Sequence, residues 1–203
     1  NTVSRSEARK RLQIDDKAKV MLVFGMVKER EKSLITKAFN AIPSNNKVLL
    51  APGWKVPRRT INWIRLREWV YNFDLWTARR NKTFRTNLGF VQEADAQYYL
   101  NASDVLLIPR LDELNSGNIT LGCTFGIVVT GRYGGDIGEI LKETGNPVFN
   151  PNNETSVTKA VVKAFQLSEG GHGLKNKDLA LNEWRLDQIC TMYYMLYIQV
   201  LNK

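Results

Sequence analysis

Six short apolar runs punctuate this chain, and they do not alternate with polar residues. They are residues 19–25 (KVMLVFG), 47–53 (KVLLAPG), 86–91 (TNLGFV), 104–109 (DVLLIP), 127–131 (IVVTG) and 147–150 (PVFN). A strand with one wet face reads apolar–polar–apolar, whereas a continuous run has both faces covered. Helical spacing fills the intervals, over 33–42, 61–80, 94–102, 118–126, 137–143 and 154–168. In the first of these, Leu34, Ile35, Ala38, Phe39 and Ile42 form one stripe. Buried strands alternating with amphipathic helices predict an α/β fold: a parallel sheet of about six strands with helices on both faces. After a break at GGHGLKN, a long closing helix is predicted over 179–201, within a segment spanning 175–203. His172 falls in that break and is expected to be an exposed turn residue. A chain of 203 residues, 43% apolar, suits one such domain over 1–203, with 1–18 as a lead-in.

Folds of this kind bind ligands beyond the carboxyl ends of their strands, where the strand order reverses. The loops after the runs are therefore the candidate site. After the first run come Gly25, Lys28, Arg30 and Lys32, ahead of a helix start. Basic side chains beside a helix N-terminus suit a diphosphate; a solvated loop with Glu29 and Glu31 is the plainer alternative. After the fourth run, Asn115-Ser116-Gly117 opens a helix. Gly117 permits close approach, and Ser116 or Asn115 serves as a cap or leaves amides for phosphate oxygens. After the fifth run, Gly134-Gly135 precedes another helix and is either an anion nest or a tight turn. Three such loops at one sheet edge favour a phosphate-bearing ligand.

Several chemistries lack their residues. There is no GxxxxGK[ST], no GxGxxG and no GxSxG. One His and two distant Cys do not make a usual zinc site, so no metal or other cofactor is expected. Cys123 and Cys190 read as small core residues of a reducing compartment. No run reaches the roughly 20 apolar residues of a membrane span. The N-terminus has neither an initiator Met nor a signal-peptide core, so the chain is expected to be a fragment of a cytoplasmic protein.

The charge is uneven. Residues 54–87 carry nine Lys/Arg against Glu68 and Asp74, a net +7 of the chain's +9. Four of the five Trp (Trp54, Trp63, Trp69 and Trp76) lie in the same stretch. Such a patch suits peripheral docking on an anionic membrane, at the inner face of the plasma membrane. The alternative is an amphipathic helix whose Trp63, Ile64 and Trp76 face the sheet. Nucleic acid is not an expected partner, because no RNA-binding module signature is present.

Taken in order, these features resemble the C-terminal domain of the family 4, or group 1, glycosyltransferases. They are Gly25 with its basic residues, LGFV (88–91), YYLNASDVLLIP (98–109), Phe125-Gly126, the Gly-Gly turn with Glu139, and PVFNPNNE (147–154). The likeness covers residues 5–200 and implies a Rossmann-like half of a GT-B fold. It also implies a retaining glycosyltransferase, of hexosyltransferase type, that takes a nucleoside diphosphate sugar to a saccharide or lipid-linked acceptor in bacterial polysaccharide synthesis. This domain would bind the donor, and an absent N-terminal domain would bind the acceptor. The chain alone is therefore expected to be inactive, and its catalytic residues are unassigned. By position, Gly25, Lys28, Arg30, Asn115, Ser116 and Gly117 would hold the donor diphosphate. Glu113, Gly134 and Gly135 would meet the sugar, and Val91 the base. The chain departs from the pattern in four places: Met26 replaces a basic residue, Leu121 replaces the second glutamate of E-x7-E, Asn115-Ser116-Gly117 replaces Gly-aromatic-Gly, and the Gly-Gly turn has an extra residue before Glu139. The alternative is a non-catalytic module that binds a nucleotide or an anionic surface.

Overall fold

A computed structural model describes residues 2–54, 83–86, 91–112 and 115–201. Among them, six parallel strands form one sheet in the order β3-β2-β1-β4-β5-β6. The strands are β1 (Lys19–Leu22), β2 (Lys47–Ala51), β3 (Phe84–Thr86), β4 (Val105–Leu107), β5 (Val128–Arg132) and β6 (Val148–Phe149). The register sets Met21 beside Leu49 on one side and Val105 on the other. The unalternating runs have the cause inferred for them: successive residues enter two different cores. Met21, Leu49, Val105 and Val128 face α2 (Lys32–Asn40) and α6 (Glu154–Glu169). Val20, Leu50, Leu106 and Val129 face α1 (Arg5–Arg11), α3 (Glu93–Ala102), α4 (Asn118–Thr124) and α5 (Gly135–Glu143).

The third strand begins earlier than the sequence suggests. Phe84–Thr86 pairs with Leu49–Ala51, and residues 87–90 of the expected run lie outside the described residues. Its burial alternates, with Arg85 half-exposed between Phe84 and Thr86. A charged residue in the middle hid an outer strand. The helix expected over 61–80, and with it most of the basic, aromatic stretch, also lies outside the described residues.

The closing region differs more. GGHG does not break the chain for long. α6 ends at Gly170, Gly171 takes φ 78°, and α7 (His172–Asn182) begins at once. His172 is half-buried, and its Nε2 lies 3.0 Å from the Thr144 carbonyl, so it is neither an exposed nor a turn residue. Gly173, which reads as a breaker, is a contact: a Cβ there would meet the Gly126 carbonyl at 2.0 Å. A buried amide pair fastens α7 to β5. Asn176 donates to Asn146 Oδ1 (3.1 Å) and to the Ile127 carbonyl (2.9 Å), while the Val129 N–H donates to Asn146 Oδ1 (3.0 Å).

The single helix expected over 179–201 is therefore two. α8 (Leu186–Leu201) starts after an interruption in which Trp184 packs against the second core. None of its residues is buried, and Tyr193, Tyr194, Met195, Leu196 and Tyr197 are all exposed. Cys190 is exposed on this helix and is not a core residue. Cys123 is buried in α4, and burial pushes its thiol up to about 12.

The lead-in segment is part of the domain. Arg9 is 1% exposed and occupies its guanidinium fully. It donates to the carbonyls of Ala102 (3.1 Å), Asp15 (3.1 Å) and Asp16 (2.6 Å), and to Asp104 Oδ2 (3.1 Å). Asp104 also accepts the Val20 N–H at 2.7 Å and an ion pair from Arg5. Burial lowers the pKa of Arg9, and Asp104 opposes that shift.

Candidate functional site

Strand order places the site. β1 lies between β2 and β4, so the chain leaves β1 towards one side of the sheet and later returns on the other. The loops after β1 and β4 part at that point and leave a crevice at the carboxyl ends of the strands.

Gly25 begins the β1 side. Its φ of 90° is a left-handed conformation that glycine adopts without strain. Met26 then bridges in parallel to Gly53 beyond β2, and the two loops touch closely: a Cβ on Gly53 would lie 2.0 Å from the Gly25 carbonyl oxygen. A short 3₁₀ turn (Glu29–Glu31) leads into α2. Its Glu31 is fully buried and accepts the Lys28 N–H at 2.9 Å.

The partner of that buried carboxylate escaped the sequence reading. Arg110, three residues past β4, donates through Nη1 to both Glu31 oxygens (2.8 and 3.0 Å) and to the Met26 carbonyl (3.2 Å). It ties the β1 loop to the β4 loop across the crevice. Asn118, the first residue of α4, adds a second tie by donating to the Phe24 carbonyl at 2.9 Å. Asn115, Ser116 and Gly117 are thereby anchored beside the segment that bears Gly25. The only sequence signal for either tie was an arginine directly after the Pro that ends an apolar run.

The expected residues fare differently. Arg30 reaches across to an ion pair with Asp112, joining the same two loops. Asn115 and Ser116 do not cap α4 in the usual way. The cap position is Gly117, in helical conformation and without a side-chain bond, and Ser116 Oγ only accepts the Asn118 N–H at 3.4 Å. That end of α4 therefore has no side-chain cap, and a Cβ on Gly117 would meet nothing within 4 Å. Glu113 lies outside the described residues. Val91 is half-buried just ahead of α3, and the segment before it is not described. Leu121 is half-buried and packs against the second core, which suits leucine where the family pattern has glutamate.

On the β5 side, Gly134 precedes α5 with no side-chain cap, and Gly135 takes φ 67°. Gly138 is a contact residue, because a Cβ there would lie 1.9 Å from the Tyr133 carbonyl oxygen. Glu139 is exposed. Arg132, the last residue of β5, donates through Nη1 to the Leu111 carbonyl at 2.5 Å and so braces the β4 loop from the other flank. Among the described residues, no cluster of three or more His, Cys, Asp or Glu could hold a metal ion.

No protein-family model matches the sequence, and no curated protein matches it. Solved structures do match its shape. The C-terminal domain of a group 1 glycosyltransferase from Francisella tularensis superposes with a TM-score of 0.63 at 11% identity, over 90% of this chain and 94% of that one. Sucrose-phosphate synthase from Thermosynechococcus elongatus gives 0.68 at 16% identity, over 97% of this chain and 49% of that chain. Anabaena HepE in complex with UDP-glucose gives 0.66 at 13% identity, over 96% and 52%. The chain thus spans about half the length of sucrose-phosphate synthase and of HepE. At these identities the likeness establishes the fold alone: the Rossmann-like half of a GT-B fold.

Proposed function

We propose that this chain is the donor-binding half of a retaining glycosyltransferase. It would take a nucleoside diphosphate sugar and pass the sugar to a saccharide or lipid-linked acceptor, as in bacterial polysaccharide synthesis. One observation carries the reading: two glycine-bearing loops and an uncapped helix start meet at the reversal of the strand order. Gly25 and Gly117 allow close approach of the ligand, Lys28 stands on the same β1 loop, and Arg30 and Arg110, paired with Asp112 and Glu31, hold the two loops in place. A diphosphate seated there is stabilised most as it leaves, when its charge grows. The acceptor and the water-excluding closure would come from a second domain, so the 203 residues alone would not turn over.

Calorimetric titration with UDP, GDP and ADP, with AMP as control, tests this. Diphosphate-dependent binding with a base preference is expected. The double substitution Ser116→Ala and Gly117→Val should weaken it about tenfold, by placing a branched side chain where the ligand approaches. Equal binding by wild type and variant would remove Ser116 and Gly117 from the site, and no binding by any nucleotide would remove the donor reading.

We further propose that the intact enzyme works at an anionic membrane surface. The basic, aromatic composition of 55–82 supports this, whereas Trp54 and Phe84 at its ends are buried in the first core. No helix among the described residues is long and apolar enough to cross a membrane. Binding to vesicles containing phosphatidylglycerol should exceed binding to neutral vesicles; equal co-sedimentation with both would end the idea.

A further inference from the structure

Three arginines stand at or beyond the carboxyl ends of β1, β4 and β5, and the chain neutralises two of them. Arg30 pairs with Asp112, and Arg110 pairs with the buried Glu31. Arg132 has no such partner among the described residues. Its Nη1 is spent on the neutral Leu111 carbonyl, and its Nε is buried with nothing to bond. Asp136, in the first turn of α5, is exposed and makes no ion pair with it. Arginine carries its charge in proteins, and leaving a half-buried guanidinium without a counter-charge is costly. The remaining nitrogen, Nη2, is the nearest atom to the missing Cβ of Gly134, at 3.2 Å. Any side chain at 134 would cover it, and glycine leaves it open.

The position of Arg132 separates it from the diphosphate. β4 lies between β1 and β5, so the backbone at the end of β5 is two strand spacings, about 10 Å, from that of β1, and the Arg132 guanidinium turns to the Leu111 carbonyl of the β4 loop with Nη2 beside Gly134, on the β5 side. An anion at Arg132 and a phosphate at Gly25 are then two different groups of one ligand. We propose that the donor sugar of this chain is acidic: a nucleoside diphosphate hexuronic acid whose carboxylate is received by Arg132 through a charge-assisted hydrogen bond. This rests on the donor-site reading above.

The test compares UDP-glucuronate with UDP-glucose, and GDP-mannuronate with GDP-mannose, by calorimetry on the 203-residue chain. The acidic sugar of the preferred nucleotide is expected to bind at least tenfold tighter. R132M should abolish that preference, the acidic donor losing at least tenfold more affinity than the uncharged one, and R132K should keep part of it. Thermal melting of each variant checks that it is folded. Equal affinity for acidic and uncharged sugars overturns the inference and leaves the donor site standing. An equal loss of both donors and of free UDP in R132M also overturns it, because Arg132 would then hold the diphosphate. No binding by any nucleotide overturns the donor-site reading, and this inference with it.

Discussion

Arg9→Met is expected to destabilise the domain by about 3–5 kcal/mol, the cost of removing one partner from a buried charged network. The guanidinium holds three carbonyls and a carboxylate, and methionine fills the volume while satisfying none of them. Asp104 would keep Arg5 and the Val20 N–H, and the Asp15 carbonyl would keep the Ala18 N–H, but the buried bond to the Ala102 carbonyl and the bond to the Asp16 carbonyl would be lost. Against a total stability of about 5–15 kcal/mol, that is a large share. Arg9→Lys should recover little, since one ammonium cannot reach acceptors spread around a planar fork. Urea denaturation of the three proteins would show it as a lower midpoint at unchanged slope. A wild-type midpoint for Arg9→Met would mean that the lead-in helix contributes nothing to the fold.

Gly53→Ala is expected to damage stability and ligand binding together. Its Cβ would lie 2.0 Å from the Gly25 oxygen, 2.7 Å from the Gly25 carbon and 3.0 Å from the Met26 Cα. All three are backbone atoms, so no side chain can turn aside. The β1 and β2 loops must separate, breaking the Met26–Gly53 bridge and the Val27 N–H bond to the Gly53 carbonyl (3.3 Å). Overpacking of this kind costs about 3 kcal/mol. The displaced residue is Gly25, so nucleoside diphosphate affinity should fall at least thirtyfold. Gly117→Ala is the contrast, because its Cβ has free space and the variant should melt with the wild type. Calorimetric titration and thermal melting of both variants provide the check. Unchanged affinity in Gly53→Ala would separate the β1 loop from the ligand.

The parts of the fold legible in the sequence were those governed by periodicity. β1, β2 and β4 are buried on both faces and read as unbroken apolar runs; α2 and α6 bury one stripe and read at helical spacing. β3 was misplaced because a half-covered strand carries Arg85 in its middle. GGHG was misread because glycine serves two ends. Gly171 is there for its backbone angle, while Gly173 sits inside a helix to let it approach Gly126. The candidate site was read from glycines and basic residues after strands. Its braces were not. Arg110 meets Glu31 across 79 positions, and Asn118 meets Phe24 across 94. No local pattern encodes such pairings, and only the strand order brings them together. Leu121 looks like a loss when set against a motif, and in the folded chain it is a packing residue.

The two-core sheet also divides the labour of evolution. Each central strand residue is committed to one face or the other, so a change there is felt as packing whatever the ligand. Lys28, Arg30, Asn115, Ser116, Gly117 and Gly134, on the loops beyond the strands, belong to neither core. Ligand preference can therefore drift at such positions while the scaffold stays under separate selection. A shape held in common at 11–16% identity is what such a division leaves behind.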